Sequence, residues 1–594
     1  MHYRKIQILA VILLLGGMLA LEISSIRLET QTTDEGAHLA AGYSYLATGD
    51  FRLNREHPPL IKELAALPLY LIHHSLNQPF NSQAWRASDQ WLFAKNFLYY
   101  NRISADTLFF LGRLPIMCLS LLLGWWIFRW TKEMFGTPSA FIALIFYVLD
   151  PTIIAHSRYV TTDLALTLCF YITIYYFYKY LKFGQVRWLI GFWVVFGIAQ
   201  ASKYSAIFLI PIILIMYFLS LWRSHELRVQ QTVKNFFLLF GGMAAVTIMI
   251  LSVVYGFQAP KLIDDISVQK LLNKREVLIV TDQVKNQDVL IQKIISLADP
   301  ASKSGKIVSS LMQSVPIPFL PYFDGLIQVY FHDYFGHTSY LMGNHAEFGW
   351  WYYFPVAVAI KTPAITLVGL AAVILFGVYR AVQTLKTTRS IKKMFARVPI
   401  HFYFLILPPS IFFLISMNGS LNLGIRHVLV IYPFIFSILG WAIYRFWTNT
   451  GWFPRLLIII GMSLYILSSI TIFPNYLSYF NEFIGGSKNG YRYLVDSNND
   501  WGQDVKKLKT YLRKHNIPYV CMAYFGQTEL NYYGIDYRYL PDNQHFTSTD
   551  NLNCVVAISI TALYSKEGEY AWLQKYSPNT TIGYSIHLYD FRKP

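Results

Sequence analysis

Charge is what this 594-residue chain has least of. Asp, Glu, Lys and Arg together make up 14% of it, against 54% hydrophobic and 17% aromatic residues, a balance that excludes an ordinary soluble globular protein. Acidic residues are the scarcer sign, 33 against 50 Lys and Arg, which leaves a net charge of +17. Cysteine occurs four times and never as CxxC, so no compact zinc motif is present. No GxxxxGK[ST] phosphate loop occurs either, which argues against ATP as the energy source.

What the chain has in abundance is long apolar runs. At 1.5 Å per residue a helix needs about 20 of them to cross a hydrocarbon core of about 30 Å. Eleven spans are expected, near residues 6–23, 107–128, 138–154, 162–181, 188–201, 204–222, 236–257, 354–379, 400–417, 428–445 and 456–473. The third and fifth are short. The protein is read as a polytopic α-helical membrane protein.

Orientation follows from Lys and Arg, which accumulate in cytoplasmic loops. With the N-terminus inside, the cytoplasmic pieces are residues 1–8, 129–137, 179–187, 223–235, 380–398 and 445–455. They hold eighteen Lys and Arg against two acids, Glu133 and Glu226. Nearly all of the net charge is therefore a topology signal, and no nucleic-acid partner is needed to explain it. The first segment has a short basic start but lacks a small-residue cleavage site, and is expected to be a retained anchor. An odd number of spans puts the C-terminus outside.

Three outer pieces then remain: 24–106, 258–353 and 474–594. The expected division is a membrane domain over 1–473, carrying the first two as loops, and an external α/β domain over 474–594. In the latter, Val505 to Lys514 has helical amphipathicity, with Asp500 or Asp504 at its start and Arg513, Lys514 and His515 at its end. Tyr519 to Tyr524, Cys554 to Ile560 and Ser585 to Phe591 read as strands and Glu567 to Lys575 as a helix, in a mixed sheet. Cys118 and Cys169 fall in spans. Cys521 and Cys554 fall in strands, where a disulfide is open to them but plain core packing is the expectation.

Chemistry concentrates at the outer ends of the spans. Asp34 and Glu35 follow Thr32-Thr33 at a helix start, where simple N-capping is the competing account. Glu56-His57-Pro58-Pro59 lies in the same loop, Asp163 opens the fourth span, and Lys203 sits in an apolar outer turn. Charged groups at such edges are costly unless they face a cavity or a partner. For Arg158, Lys203 and Arg426 the competing account is interfacial snorkelling. Pro58-Pro59 prevents regular helix and fixes the loop.

These residues carry a resemblance. Thr33-Asp34-Glu35-Gly36-Ala37-His38, Glu56-His57-Pro58-Pro59-Leu60, His156-Ser157-Arg158 with Thr162-Asp163, Ser202-Lys203-Tyr204-Ser205, Trp350 to Pro355 with Lys361-Thr362-Pro363, Gly424-Ile425-Arg426-His427, Tyr476 to Glu482 and Asp496 to Asp504 stand in an order that resembles the phospholipid-carrier-dependent glycosyltransferases. That group contains the protein O-mannosyltransferases and the lipid A aminoarabinose transferases. The resemblance implies a C-type glycosyltransferase fold and an external site that takes a hexosyl or pentosyl group from a polyprenyl phosphate. It further implies Asp34 as the base for the acceptor hydroxyl with Glu35 as its companion, inversion at the anomeric carbon, and a pocket shaped by Glu56, His57 and Asp163. Arg158, Lys203 and Arg426 are the cations expected at the lipid phosphate, Arg426 being suited to a bidentate contact. The compact bacterial members place such a chain in the plasma membrane.

The second outer piece divides in two. Asp264 to Ser314 has amphipathic spacing; Tyr322 to Phe354 is crowded with aromatics, which suit either sugar stacking or a membrane interface. No cofactor is required by the expected reaction. His332, His337 and His345 with Glu347 could form a divalent-metal site, though at no compact zinc spacing. The acceptor, whether lipid, glycan or protein, is not specified. No lectin-like repeat is present that would carry over a protein acceptor, and the sequons Asn418-Gly419-Ser420 and Asn579-Thr580-Thr581 mean something only in a host with that pathway. The alternatives are a transporter or flippase for lipid-linked glycans, which should show repeats and midplane charges, and a non-catalytic assembly protein.

Overall fold

The structure is a computed structural model, and it describes residues 2–224, 229–259, 318–546 and 552–592. The segment Asp264 to Ser314 and Glu226 lie outside the described residues. Among those described, eight helices are long and apolar enough to cross a membrane, or nine if the bent pair Ile391–Arg397 and Ile400–Ser416 counts as one span. The third and fifth expected spans are the shorter apolar helices Thr137–Leu149 and Val186–Ser202. Each of the eleven expected spans falls on a helix.

Two of the expected runs are divided. The run at 138–154 breaks at Asp150 into Thr137–Leu149 and Pro151–His156. The run expected at 354–379 is broken into Tyr353–Lys361 and Ala364–Thr388. Pro363 is the cause, because proline lacks an N–H and drives the residue before it out of helical geometry. Thr362 accordingly sits at ψ 136°. The longer half buries only Thr366 and exposes Val368, Ile374, Leu375 and Phe376, a surface that water would not tolerate and a bilayer would.

The middle of the bundle is aromatic. Trp130, on the Ala105–Phe135 helix, is fully buried with its ring edge-on to Tyr171 at 4.7 Å. Tyr171 in turn meets Phe434 at 5.0 Å. Ser437 accepts from Thr131 at 2.9 Å and shares a 2.8 Å bond with the Tyr171 hydroxyl, which satisfies three buried hydroxyls between helices. Gly440 allows Tyr432–Asn449 to lie against Thr137–Leu149, since a Cβ there would stand 2.3 Å from the Ser139 carbonyl.

Helix α1 (His2–Ile26) leads into α2 (Thr33–Thr48) and α3 (Leu60–Leu71). These last two cross in tight contact: a Cβ on Gly42 would lie 2.0 Å from the Lys62 carbonyl oxygen.

Beyond the last span the chain returns over the same end of the bundle. Buried Lys361 donates to the carbonyls of Leu477 at 2.8 Å and Asn498 at 2.6 Å, and Asn481 donates to those of Ala359 and Thr362. A five-stranded mixed sheet follows, formed by β3 (Val520–Ala523), β4 (Tyr537–Tyr539), β5 (Val555–Ser559), β6 (Thr580–Ile582) and β7 (Ile586–Asp590) in the order β4-β3-β5-β7-β6. A separate hairpin, β1 (Ser339–Leu341) with β2 (Asn344–Ala346), lies in the second outer piece. The expected helix at Val505–Lys514 is present, whereas Glu567 to Lys575 reduces to a 3-10 turn at Ala571–Lys575.

The cysteine expectation is corrected. Cys521 and Cys554 are bonded to each other. Parallel pairing of β3 with β5 in the register Cys521 to Val556 brings the two residues side by side, a neighbourhood that periodicity along the chain does not reveal.

Candidate active site

Four charged side chains from four separate segments form an alternating chain at the bundle end. Asp34 accepts from Arg426 Nη1 at 3.0 Å; the same nitrogen stands 3.7 Å from Asp163 Oδ2; Lys203 pairs with Asp163 Oδ1. Local structure delivers each of them. Asp34 sits in the first turn of α2 beside the partial positive charge of the helix start. Asp163 is the first residue of the Asp163–Phe183 helix, and Lys203 occupies the extended break between Val186–Ser202 and Tyr204–Phe208. Arg426 lies on a 3-10 turn that follows Gly424.

The four differ in access. Arg426, Lys203 and Asp163 are 8%, 8% and 3% exposed, while the Asp34 side chain keeps 25% of its surface. The carboxylate that opens to solvent is thus the one backed by a chain of compensated charges.

Imidazoles line the same recess. His38, one helical turn after Asp34, joins its Nδ1 to the Val160 carbonyl at 2.8 Å and meets His57 edge-on at 5.1 Å. Burial lowers the pKa of both; for His57, His38 and Lys203 add to the effect, while for His38 Asp34 opposes it. His156 is held down to about 3 by burial. Neutral rings therefore surround the charged chain at neutral pH.

Glu56 stands exposed at the mouth, its pKa raised by the surrounding protein with His332 opposing. The loop that carries Glu56 and His57 is pinned from beneath by Lys62, whose ammonium donates to the carbonyls of Asn54 (2.5 Å) and His57 (2.8 Å) and to the Tyr45 hydroxyl (3.0 Å). Burial brings the Lys62 pKa down to about 7.

Two residues grouped with these in the sequence are placed differently. Glu35 is fully buried, receiving Arg113 Nε and Nη2 at 2.7 and 2.6 Å and the backbone N–H groups of Thr32 and Val160 at 2.8 and 3.0 Å. It closes a capping box on Thr32. Arg158 is fully buried against Glu29 at 3.0 Å and Ser25 at 2.6 Å. Both have their partners in the frame behind the recess.

The residues that could hold a metal do not converge. His345 bonds to the Tyr564 carbonyl at 2.7 Å and Glu347 pairs with Lys566, while His332 and His337 face each other at 3.3 Å. Among the described residues no group of three metal-ligating side chains is assembled. Of the other residues around the recess, His38, His156, Asp496 and Trp501 stood in the sequence only as motif members with no role of their own, and Lys62 was not singled out. For His38 a direct signal existed in its spacing, four residues after Asp34 at a helix start.

The middle of this framework, with Arg113, Arg158, Asp163 and Lys203, falls within a match to a known family. Residues 101–255 match the family model of dolichyl-phosphate-mannose-protein mannosyltransferases. The match covers about a quarter of the chain, and it meets the resemblance drawn from the motifs. No curated protein sequence matches the chain. Among solved structures, the chain is similar to ArnT from Cupriavidus metallidurans bound to undecaprenyl phosphate, at 12% identity over 98% of this chain and 99% of that one, with a TM-score of 0.45. It is also similar to the oligosaccharyltransferase AglB from Archaeoglobus fulgidus in complex with an inhibitory peptide and a dolichol-phosphate, at 11% identity over 95% and 72%, with a TM-score of 0.42.

Proposed function

We propose that this chain is a glycosyltransferase of C type that moves a hexosyl or pentosyl group from a polyprenyl-phosphate donor to a hydroxyl of an envelope lipid, glycan or protein, on the outer face of a bacterial plasma membrane. The observation that carries the reading is the accessibility of Asp34 at the open end of the Asp34–Arg426–Asp163–Lys203 chain. The family match over residues 101–255 supports the lipid-phosphate donor.

In this reading Asp34 removes the proton of the acceptor hydroxyl as the acceptor oxygen bonds to the anomeric carbon. The bond from that carbon to the phosphate oxygen breaks, its electron pair leaves with the polyprenyl phosphate, and one displacement inverts the centre. Arg426 and Lys203 hold the charge that grows on the phosphate. Glu56 and His57 bind sugar or acceptor hydroxyls at the mouth, and Asp163 fixes both cations. Glu35 and Arg158 serve as braces. The outward orientation is supported by the Lys/Arg asymmetry of the loops and by the Cys521–Cys554 disulfide, a bond of oxidising compartments.

The test is mass spectrometry of envelope lipids, glycans and proteins from cells carrying the intact protein, a deletion or Asp34→Asn. Loss of the same sugar mass in the deletion and the variant, with accumulation of donor lipid, is the expected result. A sugar profile changed by the deletion alone would remove Asp34 as base.

A further inference from the structure

Asp34 and Arg426 are set against each other by one stretch near the far end of the chain. On the Asp34 side, the Trp501 carbonyl accepts from the Thr33 N–H at 3.0 Å and from the Thr33 hydroxyl at 3.3 Å. Thr30 donates to the carbonyls of Gln503 at 2.8 Å and Gly502 at 3.1 Å. On the Arg426 side, the guanidinium lies over the Trp501 ring at 4.4 Å from its centroid. The Ile425 N–H donates to Asn498 Oδ1 at 3.0 Å, and the Ser497 hydroxyl donates to the Leu423 carbonyl at 2.8 Å.

This stretch is itself held from behind. Thr561 donates its N–H and hydroxyl to Asp500 at 2.9 and 3.0 Å, and Tyr524 donates to the Gly502 carbonyl at 2.6 Å. Gly502 has φ +86°, and a Cβ there would stand 2.8 Å from the Tyr524 hydroxyl, so only glycine fits the turn. The Trp501 ring is 1% exposed and edge-on to Tyr159 at 6.1 Å.

We propose that Trp501 is the positioning residue for the Asp34–Arg426 pair, its carbonyl holding the start of α2 and its ring carrying the guanidinium. The inference rests on the reading of Asp34 as the base. A guanidinium over the face of a desolvated indole is attracted by the ring, which holds Arg426 where its Nη1 meets Asp34. Trp501 acts through Arg426 and α2, so the C-terminal region sets the geometry of the Asp34–Arg426–Asp163–Lys203 chain.

The test compares full-length wild type, Trp501→Phe and Trp501→Leu in nanodiscs. Hydrogen exchange is read first: Trp501→Leu should lose protection in peptides spanning 29–40 and 421–430 together, while Trp501→Phe keeps it. Unchanged exchange in Trp501→Leu overturns the proposal whatever the enzyme transfers. Kinetics follow with the donor lipid that accumulates in the deletion strain. Trp501→Leu should lower kcat by up to about a hundredfold, the effect of misplacing a reacting group by about 1 Å, with KM changed by less than about threefold and Trp501→Phe recovering most of the rate. In an Arg426→Lys background the same substitution should cost little more. Full additivity would show that Trp501 does not act through Arg426. An inactive wild type would instead sink the functional reading, and the exchange result would still decide whether Trp501 holds the two segments.

Discussion

Arg113 grips Glu35 with two parallel bonds, Nε to Oε1 at 2.7 Å and Nη2 to Oε2 at 2.6 Å, in a place where neither side chain is more than 4% exposed. The pair ties the Ala105–Phe135 span to the first turn of α2 and so fixes the backbone of Asp34, the neighbouring residue. Breaking one partner leaves a buried charge alone, at a cost of roughly 3–5 kcal/mol. Glu35→Gln and Arg113→Met should each lower the unfolding midpoint in detergent sharply. The double variant should lose less than the sum. Additive losses would show that the two residues do not act as a pair.

Asp34→Asn should behave in the opposite way. Its side chain is partly open to solvent and paired only along one edge, so the protein should reach the membrane and unfold at nearly the wild-type temperature. Transfer should fall by about 10²- to 10⁴-fold, the usual contribution of a general base. Folded Asp34→Asn with wild-type turnover would exclude the assignment.

Asp34, Asp163 and Lys203 were legible in the sequence for one physical reason: each is an ionisable residue at the end of an apolar run, where only a cavity or a partner makes it affordable; Arg426 was reached only through the resemblance. That reasoning fails one step later. Glu35 and Arg158 satisfy the same rule, yet their partners are Arg113 and Glu29 in the frame, and no local pattern separates a charge facing a cleft from one facing another helix. Pro363 was a readable break inside an expected span. The disulfide was not readable, because Cys521 and Cys554 become neighbours only through the order of the strands.

The cations should separate by geometry. Arg426 sets one guanidinium nitrogen between Asp34 and Asp163 and keeps further planar donors that lysine cannot reproduce. Arg426→Lys should keep the fold and, on the proposed reading, weaken retention of a polyprenyl phosphate by tenfold or so, the equivalent of about 1.4 kcal/mol. Lys203→Met strips Asp163 of its close partner and should reduce stability as well as retention. Native mass spectrometry of lipid-loaded protein measures retention; equal retention by wild type and both variants would remove these cations from the phosphate.

Orientation can be checked on the C-terminal sheet, where Cys521 and Cys554 are too buried to label but Tyr539 on β4 is 82% exposed. In intact cells the Tyr539→Cys variant should take a membrane-impermeant maleimide, while Cys169, buried in a span, stays untouched. Labelling that requires permeabilised cells would place the C-terminal region inside and overturn the outward site.

The pH dependence of stability should carry the signature of the stretch around Trp501. Asp500 is fully buried, and burial raises its pKa from 3.8 to about 7 although the Thr561 and Gly502 N–H groups oppose the shift. Asp496, half-buried beside Arg426, is raised to about 6. An acid with a raised folded pKa binds more protons in the folded state than in the unfolded one between the two values, so stability falls as pH rises across that interval. The contribution is fully present below about pH 4 and is lost as pH passes through 7. For Asp500 the shift corresponds to at most about 4 kcal/mol, at about 1.36 kcal/mol per pH unit. Asp500→Asn resembles the protonated acid and does not titrate. Its unfolding midpoint relative to wild type should therefore climb between pH 4 and pH 7, and a difference independent of pH would show that Asp500 is ionised in the folded protein throughout.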